Sequence, residues 1–253
     1  LSTSAEISLW FRRFNPSPTA SSRLICFPHA GGSASFFLPL SRAMSPEVEV
    51  LSVQYPGRQD RRNEQPAGSI AALADSIADN ISHFSDKPLA LFGHSMGAIL
   101  AYEVTRRISI TNSPIALFAS GRRAPSRYRP EIAHTLSDEK LLEELKMLGG
   151  TDSRAFADND IVRMILPAVR ADYRAIETYF YQPGSEVSTP IFAHIGDRDP
   201  RVTFDEASSW KEHTSNSFEL HTHTGGHFYI AEHTNSIATH IQQKLSEHPI
   251  RPR

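Results

Sequence analysis

Short apolar runs alternate along this chain with longer stretches in which apolar residues recur every three or four positions. The runs at 23–27, 48–55, 89–92, 115–120, 191–195 and 218–222 are rich in branched and aromatic side chains and predict strands. The intervals 35–44, 69–84, 96–108, 204–213 and 230–246 carry helical spacing. Such alternation predicts right-handed crossovers and an α/β fold, with a mostly parallel sheet and helices on both faces. A polar connector with prolines, 15–22, precedes the first run, and no internal repeat or low-complexity tract interrupts the order.

One interval breaks the rhythm. Residues 121–186 separate two predicted strands by far more than a crossover needs. Leu141, Leu142, Leu145 and Leu148 make one helical stripe, and Ile161, Met164, Ile165, Ala168 and Val169 make another, with Pro167 expected to kink or divide the second helix. Ligands of open α/β sheets bind beyond the carboxyl ends of the strands, so an insertion leaving that edge is placed to roof the crevice. The expectation is one domain, 1–253, with a helical lid at 121–186.

Composition narrows the function classes. The chain has 253 residues, 40% of them hydrophobic, enough for one substantial core. A formal net charge of -2 with 21% charged residues gives no global field for nucleic acid or an acidic membrane surface. Cys26 is the single cysteine, so no internal disulfide forms, and a reducing compartment fits. Residues 1–13 lack an apolar signal core, and no run reaches bilayer length. A soluble, cytoplasmic monomer is expected.

The candidate chemistry centres on Gly93-His94-Ser95-Met96-Gly97, a G-x-S-x-G run between a predicted strand and a predicted helix. Ser95 on so sharp a turn is a candidate nucleophile, and the glycines let strand and helix approach closely. His94 neighbours it and is expected to point away and support the turn. A serine hydroxyl needs a base and a group to orient that base. Thr224-Gly225-Gly226-His227-Phe228 offers His227 after the last predicted strand, and Gly196-Asp197-Arg198-Asp199-Pro200 offers two carboxylates after another. Asp199 is preferred because Pro200 fixes a turn behind it, and Asp197 stays open. The order serine, acid, histidine is that of an α/β-hydrolase. Two backbone N–H groups should meet the oxyanion: that of Met96, and that of Ala30 in Phe27-Pro28-His29-Ala30-Gly31-Gly32. His221 and His223 alternate loosely, but no carboxylate or cysteine stands at familiar ligand spacing, so no metal is expected.

Taken together, Pro28-His29-Ala30-Gly31-Gly32, Tyr55-Pro56-Gly57-Arg58, the serine run, Gly196-Asp197-Arg198-Asp199-Pro200 and Gly225-Gly226-His227-Phe228 resemble the stand-alone type II thioesterases of polyketide and nonribosomal peptide synthases. The resemblance implies a Ser95, Asp199, His227 triad with Ala30 and Met96 as oxyanion donors. It further implies hydrolysis of stalled or aberrant acyl groups from carrier-protein phosphopantetheine, with no diffusible cofactor. A general carboxylesterase on small oxyesters and an excised terminal releasing domain share these parts. Carrier proteins are acidic, so the basic groups Arg58, Arg61, Arg62 and Arg122, Arg123, Arg127, Arg129 invite two readings: a docking surface carried chiefly by Arg58, Arg122 and Arg123, or a surface paired with Asp60, Glu64, Glu131 and Asp138.

Overall fold

Successive side chains of a strand point to opposite faces, and here both faces find apolar cover. The computed structural model describes residues 9–149, 158–184 and 186–247. Its strands are β1 (Phe11–Arg12), β2 (Ser22–Phe27), β3 (Val48–Val53), β4 (Leu89–His94), β5 (Ala116–Ser120), β6 (Ile191–Gly196) and β7 (Phe218–His223). They form a 7-stranded sheet in the order β1-β3-β2-β4-β5-β6-β7. Only the β1–β3 pairing is antiparallel; the neighbours from β3 to β7 run parallel. The α/β expectation is met.

The helices are α1 (Leu38–Met44), α2 (Ile70–Ile81), α3 (Met96–Asn112), α4 (Asp138–Leu148), α5 (Asn159–Glu177), α6 (Phe204–Ser208) and α7 (Thr234–Ser246). Ile25, Leu51, Leu91 and Leu117 face one layer, packing with Ile77 and Ile81 of α2 and Leu100 and Val104 of α3. Leu24, Val50, Phe92 and Phe118 face the other, with Met44 of α1 and Ile237 and Ile241 of α7. Each large side chain so buried contributes roughly 1.5–3 kcal/mol before entropy is counted. No helix among the described residues is long and apolar enough to cross a membrane.

The differences from expectation lie at element ends. The two-residue β1 has too short a pattern to read, and 35–44, 69–84, 204–213 and 230–246 each contain a 3-10 turn beside a shorter α-helix. Local composition also sets several ends correctly: Ser69 caps α2 by accepting from the Ala72 N–H at 3.2 Å, and Gly149 closes α4 at φ 81°.

Between β5 and β6 lie α4 and α5. Pro167 does not divide α5, which runs unbroken from Asn159 to Glu177. A proline removes one backbone donor, and here the buried side of the helix holds the remaining turns in place. Val162, Leu166, Val169 and Tyr173 pack with Leu141 and Ala133 in a small core of their own, with Ala30 against it. Met164, expected in the apolar stripe, is 56% exposed because that stripe is rotated toward Val162 and Leu166. Ile161 and Ile165 turn instead toward a cavity described below.

Candidate active site

Ser95 sits between the end of β4 and the start of α3 with φ 56° and ψ -118°, a left-handed backbone that a non-glycine residue adopts at a cost. The surroundings enforce it. A Cβ on Gly93 would lie 2.0 Å from the Gly97 carbonyl oxygen, and one on Gly97 would lie 2.0 Å from that of Phe27. The Ser95 N–H donates to the Ser120 carbonyl at 2.8 Å, and the Ser95 carbonyl accepts from the Ala98 N–H at 3.0 Å. Strand, turn and helix are thereby locked, and Oγ projects beyond the carboxyl edge of the sheet.

The loops after β6 and β7 bring the other residues in. His227 Nε2 lies 3.0 Å from Ser95 Oγ, while its Nδ1 lies 3.0 and 2.9 Å from Asp199 Oδ1 and Oδ2. The Asp199 side chain is fully buried and that of His227 is 3% exposed. Asp199 Oδ1 also accepts the Arg201 N–H at 2.8 Å. With the ring proton on Nδ1 facing the carboxylate, the Nε2 lone pair faces the serine hydroxyl. Asp197 points elsewhere: its Oδ1 accepts the Gly225 N–H at 2.8 Å, tying the two loops together at a half-exposed position.

His94 is fully buried, and its Nδ1 meets Ser120 Oγ at 2.9 Å, which in turn lies 2.6 Å from the Tyr229 hydroxyl. Burial, then the neighbouring His227 and His29, holds its pKa well below the ordinary value. His29, under the Ala30 loop, is held down to about 3 by burial, then by His227 and Arg58. Two neutral rings thus brace the site without adding charge to it. Sequence reading placed His94 in a supporting role but found no sign of Ser120 or Tyr229, which only the strand pairing brings together.

A cavity of about 210 Å³ opens at Ser95 and His227, bordered by Ala30 and Met96. Among the described residues, neither the Ala30 nor the Met96 N–H has a protein acceptor. Leu145, Leu148, Ile161, Ile165 and Val169 supply an apolar wall from α4 and α5, and Arg122, Glu131 and Glu177 a polar one.

The structure corrects the placement of the expected docking cations. Arg58 is 8% exposed and holds Asp172 of α5 through two bonds of 2.6 and 2.8 Å, with a third to the Gly32 carbonyl at 3.0 Å. Asp172 also accepts the Gly31 N–H at 2.8 Å. Arg58 therefore fastens the Ala30 loop to α5 and is not offered to a partner. Asp172 was missed because a lone acid on a helix carries no local signal. Arg123 is buried against Glu131 at 2.6 Å, and Arg122, buried beside the same carboxylate at 3.8 Å, lines the cavity. Burial, then Arg123, pushes Arg122 down to about 10. Of the acids expected to pair with these clusters, Glu64 takes Arg61 and Glu131 takes Arg123, whereas Asp60 and Asp138 go to Arg12 and Arg170, and Arg127 and Arg129 pair instead with Glu212 and Glu206.

Comparison with known proteins places the chain in a family. A family model described as the thioesterase domain matches residues 22–245. A probable cadicidin biosynthesis thioesterase of Streptomyces griseus is 44% identical over 96% of this chain and 67% of its own length. Thioesterase PikA5 of Streptomyces venezuelae is 43% identical over 95% of this chain and 86% of its own. Among solved structures, the type II thioesterase BorB from the borrelidin biosynthetic cluster superposes with a TM-score of 0.85 at 48% identity, covering 94% of this chain and 97% of its own. The chain belongs to the thioesterase family, on an α/β-hydrolase fold, and is a thioester hydrolase of the kind associated with polyketide and nonribosomal peptide biosynthesis.

Proposed function

We propose that this enzyme hydrolyses acyl groups from the phosphopantetheine thiol of acyl or peptidyl carrier proteins, removing stalled or aberrant chains through an acyl-serine intermediate. The observation that carries the reading is the unbroken line of contacts from Asp199 through His227 to Ser95 beside a cavity with one apolar wall. Ser95 Oγ attacks the thioester carbonyl as its proton passes to His227 Nε2. Asp199 keeps Nδ1–H oriented and stabilises the imidazolium. The N–H groups of Ala30 and Met96 receive the oxyanion. On collapse the thiolate leaves and takes the proton from His227. A water then gives its proton to Nε2 and attacks the acyl-serine, releasing a free acid and restoring Ser95.

Association with carrier proteins is supported by relatives named for biosynthetic clusters, among them the type II thioesterase YbtT from the yersiniabactin pathway. Mass spectrometry of a panel of acylated carrier proteins, before and after incubation with the enzyme, tests the proposal. Loss of acyl mass with regeneration of the free phosphopantetheine thiol is expected. Turnover of small oxyesters with no action on any carrier would replace the proposal with a carboxylesterase.

A further inference from the structure

On the α7 side of the sheet, four histidines and a glutamate gather where the edge strand β7 meets α7. Glu219, His221 and His223 alternate along β7 and so share one face. His194 stands opposite His221 in the pairing of β6 with β7, and His240 comes down from α7. His221 and His240 have ring centroids 4.1 Å apart. His221 Nε2 lies 3.2 Å and His240 Nε2 3.9 Å from Glu219 Oε2. All three ligand atoms fall within 4.8 Å of one another.

The histidine chain behind them decides which nitrogen is available. His240 Nδ1 lies 3.2 Å from His194 Nε2, and His194 Nδ1 lies 3.0 Å from His223 Nε2. Run in one direction, with Nδ1–H donating at both steps, the chain leaves a lone pair on His240 Nε2. Run in the other, it leaves an N–H there whose nearest carboxylate oxygen is 3.9 Å away, too far to accept. That nitrogen is buried without a hydrogen-bond partner. A buried lone pair beside a second imidazole and a carboxylate oxygen is an arrangement a cation satisfies.

We propose that Glu219, His221 and His240 bind a divalent transition-metal ion, Zn²⁺ by chemistry, which fastens the open edge strand β7 to α7. Two imidazoles and one carboxylate suit zinc and disfavour the all-oxygen shells of magnesium and calcium. Zinc bond lengths imply ligand atoms about 3.3 Å apart in a tetrahedron. The carboxylate and His221 already stand near that separation at 3.2 Å, and His240 Nε2, 3.9 Å from the same oxygen, has to move inward by about 0.6 Å. His194 is the outer partner that orients His240 through its Nδ1 proton. Lys244 is the cation that shares Glu219 now, 2.7 Å from Oε1, and Glu247 lies 3.4 Å from its Nζ to take it over. Ligand spacing gave no warning because His240 comes from another element.

Tag-free enzyme stripped with chelator and titrated with ZnCl₂ by calorimetry tests the assignment, with MgCl₂ as control and Co²⁺ absorption as the spectroscopic readout. One equivalent of Zn²⁺ should bind and raise the Tm, and Co²⁺ should show visible ligand-field bands. His221→Gln and His240→Gln should each remove the site, and His194→Gln should weaken it by about 10- to 100-fold. Lys244→Ala should tighten it, while His83→Gln, at an exposed position elsewhere, should leave it unchanged. No stoichiometric uptake overturns the proposal, as does uptake undiminished in His221→Gln. Circular dichroism establishes folding, and the one-third-exposed His221 carries the test should His240→Gln not fold.

Discussion

Asp197 and Asp199 stand two residues apart in one loop, yet the fold gives one a backbone N–H and the other an imidazole. The proline behind Asp199 was legible in the sequence. The direction of each carboxylate was not, since it depends on where the loop after β7 arrives. Asp199→Asn should lower kcat by about 10⁴, as loss of the orienting acid does in serine proteases, because the wrong ring tautomer then faces Ser95. Asp197→Asn keeps an acceptor for the Gly225 N–H and should retain most of the activity. Steady-state rates on one acyl-carrier substrate separate the two, and comparable losses would reassign the acid. Ser95→Ala should abolish turnover and leave the circular dichroism spectrum unchanged, since the turn is held by Gly93, Gly97 and backbone bonds and not by the hydroxyl. The arginines taught the opposite lesson: type and position suggested a surface, and burial beside Asp172 and Glu131 made them internal ties.

Helices α4 and α5 contribute both a wall and a latch. The Arg58–Asp172 pair joins the Ala30 loop to α5 with both partners buried, so removing one leaves an uncompensated charge. Asp172→Ala should cost about 3–5 kcal/mol in urea unfolding and displace the Ala30 N–H, lowering kcat as well. A stable variant of normal kcat would show that the latch is dispensable. Ile165, on the cavity side of α5, is the position from which acyl length should be tunable. Ile165→Phe should raise KM for long acyl chains more than for short ones, read from a chain-length series. The two helices were visible as apolar stripes. Which side of α5 would meet its own small core and which the cavity was not, because Val162 and Ile161 are equally apolar neighbours and only the position of α4 distinguishes them.

Across the whole molecule, several histidines are buried neutral. Burial holds His29 down to about 3, His213 to about 4, and His94 well below the ordinary 6.5. Unfolded, each protonates near its ordinary value, so below about pH 6.5 the unfolded chain binds more protons than the folded one. The stability tied to these rings is intact above about pH 6.5 and is lost as pH falls toward about 4 and beyond. Urea midpoints should therefore drop between about pH 7.5 and pH 5, and an unchanged midpoint would contradict the buried neutral state. By itself the sequence determined the strand and helix order, the serine turn and which histidine comes to stand beside Ser95, because these follow from periodicity and local backbone chemistry. Tertiary structure alone decided which carboxylate meets the imidazole, which arginines are internal, and how Glu219, His221 and His240 converge. Those outcomes depend on side chains far apart in the chain, whose meeting is set by sheet register and helix docking.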